Sequence, residues 1–518
     1  MHIIKKSSIY CWAVVACIFI LAAIFQAHML INWDVSFLLY VSERSLASGS
    51  YLKNIFFATP TILHLYMLPI LISKNFMVNT IWALNITVFL FALISLMISY
   101  PLLRNIFLEK DNHLFYCLFI SLTLVFLILP MHQFGQREHF MVIMTFPYFC
   151  LATLRLKNEK INFYLALFIG LFAGIGFSIK PFFLINFALV ELYILFNKRK
   201  ILSWIRIESI AILAISFFYT ASLYIFFPDF FHLYLPMFYD LYYGENGNID
   251  YTLFIIFSTP GVLFSFFSII FYGIAHKKSD YPEFSKILLL TLIGSLIMYF
   301  SQQSSYYYRI LPAVGQAILL CILVFTLNMS SYFIYEKKRS SYHNIAIGLL
   351  SGFLIFYYPI SNTYSTIQNA FQFKQKQTHN DLAKFLKKYP TPVTSYFICS
   401  NCYLQYSLSN YLNLKLSSQF FNLWWIPGIV KKEQLALNIQ PKNLMNEKKY
   451  FFNQVVSELK NEKPYLVFVD TKIGIFHKNK FDFLAFFNQD KSFQEVWKSY
   501  QFLQTVDNFN IYRRSNPE

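Results

Sequence analysis

Long apolar runs fill the first 360 residues, and each ends in a short polar stretch. Runs at 8–31, 78–101, 114–131, 140–156, 163–179, 182–197, 208–228, 253–275, 286–300, 311–332 and 344–360 predict about eleven transmembrane helices. The segment 60–77 is apolar too, but it carries Pro60, His64, Pro69 and Lys74, which predicts an interfacial or re-entrant helix. Near residue 361 the pattern changes to a polar one rich in Lys, Asn and Gln. There 362–390 reads as helical, including 381–388, while 393–399, 465–469 and 508–513 read as short strands. The expected organisation is a membrane domain, 1–360, followed by a small α/β domain, 361–518.

Composition supports that division. Hydrophobic residues make up 57% of the chain and charged residues 13%, with a mean hydropathy of +0.46. That is more apolar surface than a soluble chain of this length can hide. No cleavage site of small residues follows the first run, which is therefore expected to stay as an anchor. The net charge of +17 invites a nucleic-acid reading, but its placement points elsewhere. The basic clusters are Lys5 and Lys6; Arg104 and Lys110; Arg155, Lys157 and Lys160; Lys198, Arg199 and Lys200; Lys277 and Lys278; and Lys337, Lys338 and Arg339. The first pair precedes the first apolar run, and the others lie between runs or at the end of one. With the N-terminus cytoplasmic, every one of them falls inside, and residues 361–518 fall outside. The charge is then a topology signal, and no nucleic-acid partner is expected.

The loops left on the outer face hold the unusual polar residues. The first, 32–77, opens on Asn32-Trp33-Asp34-Val35-Ser36 and continues through Glu43 and Arg44. Its apolar positions Phe37, Leu38, Val41 and Leu46 suit a helix lying in the interface. Next come Gln133-Phe134-Gly135-Gln136-Arg137-Glu138-His139, then Ser178-Ile179-Lys180-Pro181, a Tyr- and Asp-rich loop at 229–250, and Ser301-Gln302-Gln303-Ser304-Ser305-Tyr306-Tyr307-Tyr308-Arg309. Cations are disfavoured outside, so Arg137, Lys180 and Arg309 need a reason. An anionic ligand at the outer leaflet supplies one; lipid headgroups, or pairing with Asp34 and Glu138, supply another.

The run from Asp34 through Ser42-Glu43-Arg44, Gly49, Tyr51 and Thr59-Pro60 resembles the start of the GT-C membrane glycosyltransferases, with Thr59-Pro60 where two prolines are usual. Several later stretches add to the resemblance, to a bacterial branch of largely unassigned substrate. These are Gln136-Arg137-Glu138-His139 with Pro147-Tyr148, Lys180-Pro181 with Glu191, Tyr308-Arg309 with Leu311-Pro312, and 417–427 with Trp424-Trp425. The resemblance implies a GT-C-like bundle with its site at the outer face of the bacterial inner membrane. It implies a polyprenyl-phosphate sugar donor and an inverting transfer to a glycan, lipid or protein acceptor. Asp34 would be the general base, with Glu138 beside it as a second catalytic carboxylate. Arg137, Lys180 and Arg309 would contact the phosphate, and Glu43, Arg44, His139, Gln302 and Tyr308 would complete the substrate site. No cofactor is required by that chemistry, although Asp34, Glu138 and His139 leave room for a divalent cation.

Other functions fit parts of the pattern. A transporter or flippase of lipid-linked sugars fits the span count, and an envelope assembly protein without chemistry fits the architecture. Transporters hold their charges near the midplane, whereas these cluster at one face. Gly170 and Gly174 have the spacing of a small-residue packing motif, and no phosphate-loop lysine follows them. Cys399 and Cys402 fit either a short external disulfide or a chance spacing. Trp424, Trp425 and Pro427 read more readily as core and interface aromatics than as a sugar platform.

Overall fold

Residues 137–156 carry apolar side chains on every face, and such a helix belongs inside other helices. In the computed structural model this helix, α6 (Arg137–Leu156), is buried along almost its whole length. The described residues are 2–48, 60–107, 111–243, 253–254, 257–275, 281–302, 306–334, 381–390, 392–400, 409–412, 414–418, 423–436, 444–471 and 481–515. The expected span at 344–360, the stretch 362–380, and the residues Gly49, Tyr51, Lys53, Thr59, Lys110, Lys277, Lys278, Gln303, Ser304, Ser305, Lys337, Lys338, Arg339 and Cys402 lie outside them.

Every other expected span coincides with a helix. In chain order these are α1 (His2–His28), α4 (Thr80–Phe107), α5 (Asn112–Leu127), α6, α7 (Phe163–Ser178), α8 (Leu184–Lys198), α9 (Ile207–Phe226), α10 (Pro260–Ala275), α11 (Pro282–Ser301) and α12 (Tyr307–Ile334). Among the described residues seven helices are long and apolar enough to cross a membrane. Shorter apolar helices accompany them, including Asn112–Leu127, Phe163–Ser178 and Pro260–Ile274. The protein is thus a polytopic α-helical membrane protein. Local chemistry sets several helix starts: the Asp111 carboxylate accepts from the Leu114 N–H at 2.9 Å, and the Asn162 side chain accepts from the N–H groups of Tyr164 and Leu165. Helices α4, α5, α7, α8, α11 and α12 all pack on α6.

The α7–α9 contact depends on glycine. A Cβ at Gly170 would lie 2.7 Å from the Glu208 backbone, and one at Gly174 would lie 3.2 Å from Ile212 Cα. Those two positions are one turn apart, so the helices close along a small-residue stripe, as the spacing predicts. Gly170→Leu is expected to cost at least about 1–3 kcal/mol by overpacking against backbone. Gly273→Leu should be near neutral, because nothing lies within 4 Å of a Cβ there. Thermal unfolding of both variants in one detergent measures the contrast.

The polar end of the chain forms a five-stranded sheet ordered β2-β1-β3-β5-β4. The strands are β1 (Val393–Ile398), β2 (Leu414–Leu416), β3 (Leu466–Asp470), β4 (Tyr500–Val506) and β5 (Phe509–Arg514). β1 runs parallel to β2 and β3, and β5 runs antiparallel to β3 and β4. Strands β1, β3 and β5 match the expected positions. Pattern alone misses β2, which has three residues, and β4, whose side chains are mostly exposed. Further helices at α13 (Asp381–Leu386), α14 (Trp425–Ala436) and α15 (Leu444–Asn461) accompany the sheet. Trp425 is fully buried and stacks on Phe451 at 4.4 Å, so it is a core residue here.

By contacts the chain forms two compact units. One comprises Met1–Leu30, Leu71–Ser222 and Ile249–Phe371, the other Ile31–Ile70, Leu223–Asn248 and Gln372–Glu518. The second unit therefore gathers the first long loop and 223–248 with the sheet domain, although composition changes only near 361. The loop holds two helices, α2 (Trp33–Ser48) and α3 (Pro60–Phe76). The expected interfacial stretch is thus helical, and 60–76 stays one helix through Pro69. The Tyr40 hydroxyl donates to the carbonyl of Leu416 at 2.5 Å, and Arg44 pairs with Glu462 at 2.6 Å.

Candidate functional site

Four separate stretches of the first unit converge on Lys180. It sits between α7 and a 3-10 turn at Pro181–Phe183, where the chain extends before the proline. Glu138 is the second residue of α6 and is fully buried. The Lys180 ammonium donates to Glu138 Oε1 and, at 3.2 Å, to the side-chain oxygen of Gln302. Gln302 closes α11 and is anchored by donation to the Met298 carbonyl at 3.0 Å. Arg309, in the first turn of α12, donates to the Gln302 carbonyl at 2.6 Å. The rings of Phe183 and Tyr308 each lie 5.7 Å from the Lys180 nitrogen, and the Arg309 guanidinium lies 5.5 Å from Tyr306 and 5.7 Å from Tyr308.

The cluster is electropositive. Lys180 holds the one carboxylate, and Arg137 and Arg309 act on the Lys180 charge from nearby. Burial pushes the Lys180 ammonium down to about 7; Glu138 pulls against that shift, and Arg137 and Arg309 add to it. Glu138 and Gln302 are buried, while Arg137 and Arg309 are half-buried. The arrangement is suited to an anion that arrives beside a carboxylate.

His139 plays a different part from its neighbour. The Gly135 N–H donates to Nδ1 at 3.0 Å, and Nε2 lies 2.6 Å from the Phe126 carbonyl. With both ring nitrogens used inside the protein, His139 braces the turn that launches α6. Gly135 allows that turn, with φ at 79°. This does not fit His139 as a metal ligand, and the Glu138 oxygen nearest Lys180 is held by an ammonium. Among the described residues no group of three or more His, Cys, Asp and Glu side chains is placed to hold a metal ion.

The remaining expected site residues belong to the second unit. Asp34 is half-buried in the first turn of α2, and its N–H donates to the Asn32 side chain at 2.9 Å. A carboxylate there gains from the positive end of the helix. Glu43 is exposed. Arg44 is committed to Glu462 at 2.6 Å and donates to the Tyr40 hydroxyl at 3.1 Å, an ion pair that ties α2 to the end of the sheet domain's helix α15.

A second polar cluster joins Tyr148, Arg155 and Glu191, which the sequence marks separately, to Arg206, Glu208 and Ser209, which it does not mark. Arg206 donates to both Glu191 oxygens at 2.6 and 2.8 Å, and Tyr148 and Ser209 donate to Oε1 at 2.5 and 2.9 Å. Arg155 grips Glu208 with two bonds at 2.9 and 3.1 Å, and Arg206 adds a third at 3.0 Å. These groups tie the second half of α6 to the middle of α8 and the start of α9, away from Glu138. Arg155 reads in sequence only as a topology cation; its fork geometry makes it a structural clamp.

No family model matches the chain, and neither does any curated protein. Among solved structures, ArnT from Cupriavidus metallidurans in the apo state aligns over 98% of this chain and 98% of its own, at 12% identity and a TM-score of 0.44. The structure of ArnT bound to undecaprenyl phosphate aligns over the same shares, at 12% identity and a TM-score of 0.46.

Proposed function

We propose that the protein is an integral membrane glycosyltransferase. It moves a sugar from a polyprenyl-phosphate donor to a glycan, lipid or protein acceptor at the outer face of a bacterial inner membrane. The observation that carries this reading is the Lys180–Glu138 pair, buried at one end of a helical bundle, with Arg137 and Arg309 close enough to Lys180 to act on its charge. The order of motifs from Asp34 to Arg309 supports it from the sequence side.

The chemistry asks little more of the protein. An acceptor hydroxyl attacks the anomeric carbon while Asp34 takes its proton. The bond from that carbon to the lipid phosphate oxygen breaks, and its electron pair stays on the phosphate. Cations placed there stabilise the charge as it develops, so no strong acid is needed. A single displacement of this kind inverts the anomeric centre. The reading needs no cofactor, and the cations of the cluster are its own side chains.

Purified protein in liposomes, given lipid extract carrying labelled polyprenyl-phosphate sugars, should transfer label to an envelope acceptor, and envelope glycans of cells lacking the gene should miss the same unit. Intact transport of the lipid-linked sugar without transfer would overturn the proposal in favour of a flippase. A reporter fused after residue 370 should be active only outside the cytoplasm, as the distribution of Lys and Arg requires.

A further inference from the structure

Three buried carboxylates of the membrane unit are held very differently. Glu191 and Glu208 each have both oxygens bonded, to Arg206, Tyr148 and Ser209 in one case and to Arg155 and Arg206 in the other. Glu138 is as deeply buried, yet only Oε1 is bonded, to Lys180; its Oε2 has no hydrogen-bond partner among the described residues. A carboxylate kept for structure is normally saturated with donors, because each bare buried oxygen costs free energy. Among the described residues, the ion pair to Lys180 alone holds the Glu138 carboxylate.

The other side of that pair is crowded. Lys180 has three N–H donors. Glu138 Oε1 takes one and the Gln302 side-chain oxygen another, and the rings of Phe183 and Tyr308 flank the nitrogen. A phosphate that reaches this ammonium meets a carboxylate already in place. Two anions on one half-dry ammonium repel strongly, so one must yield.

We propose that Glu138 is an internal competitor for the phosphate: the incoming lipid phosphate displaces its carboxylate from Lys180, and the carboxylate reclaims Lys180 as the phosphate departs. This rests on the cluster being an anion site, as proposed above. It gives Glu138 a task distinct from proton transfer. A product phosphate monoester carries more charge than the donor diester and would otherwise be held too tightly by three cations; a resident counter-ion lets it go.

The test is binding of a polyprenyl monophosphate in detergent micelles to the full chain, with the matching uncharged polyprenol as control. Glu138→Gln removes the competitor and should tighten monophosphate binding by roughly tenfold or more, with polyprenol binding unchanged. In transfer assays the same variant should lower the donor KM and lower kcat, because product release slows. Should Glu138→Gln fail to fold, Glu138→Asp keeps the charge but draws it back from Lys180, and should tighten binding by a smaller factor. Unchanged or weaker monophosphate binding in the folded variant overturns the competitor role, and leaves the anion site standing as long as the wild type prefers monophosphate to polyprenol. Equal binding of the two lipids by the wild type would overturn the anion site itself, and the competitor with it.

Discussion

Asp34→Asn is expected to leave a folded protein whose transfer rate is lower by roughly 10²–10⁴-fold, the usual worth of a positioned base. The substitution is nearly isosteric and keeps a polar side chain in the first turn of α2. It removes a charge from the positive end of that helix, which accounts for a loss of only about 0.3–1 kcal/mol. The competing explanation is a structural Asp34 paired within its own loop. Arg44, a cation of the same loop, is bound to Glu462 at 2.6 Å and to Tyr40 at 3.1 Å. A structural Asp34 predicts the reverse result, with poorer expression and an intact specific activity in whatever protein survives. Measuring thermal stability and transfer on the same purified sample separates the two, and wild-type transfer by a well-folded Asp34→Asn protein would end the proposed mechanism.

The second large effect concerns Lys180 and its proton. Burial first, then Arg137 and Arg309, hold the Lys180 ammonium down to about 7, against the pull of Glu138. A bound phosphate favours the charged form. Binding above that value must therefore take up a proton, and affinity is lost as pH rises. Between about pH 7.5 and 9.5 a monophosphate lipid has finished its own titration, so its Kd should weaken by up to tenfold per pH unit. Lys180→Arg should flatten that slope, because a guanidinium keeps its charge throughout the window. Lys180→Ala should bind weakly at every pH. A wild-type slope that persists unchanged in Lys180→Arg would place the titrating group elsewhere.

The unequal legibility of the site follows from how each residue signals its role. Lys180 and Arg309 stand out in the sequence because a cation in an external loop violates a topological preference. Gln302 stands beside Arg309 in the same loop and is found with it. His139 stands in the same motif as Glu138, and nothing local tells the two apart. Only packing shows one ring facing Gly135 and Phe126 and one carboxylate facing Lys180. Arg206 and Glu208 look like ordinary residues at a span boundary and prove to be a buried clamp.

What the sequence determined by itself is what depends on composition and short-range period. Apolar runs of membrane length must be helices, because lipid offers no partner to a bare backbone. A strand buried on both faces, such as β3, reads as a run of apolar side chains from Leu466 to Val469. The Gly170 and Gly174 spacing must let another helix close in. The tertiary structure decided which distant residues meet. Lys180 reaches Glu138 across 42 positions and Gln302 across 122, and Arg44 reaches Glu462 across 418. The second compact unit likewise draws α2 and α3 to a sheet that begins more than 300 residues later. No periodicity encodes such pairs, because the energy that selects them comes from burying two surfaces together, and each surface is legible only after both have folded.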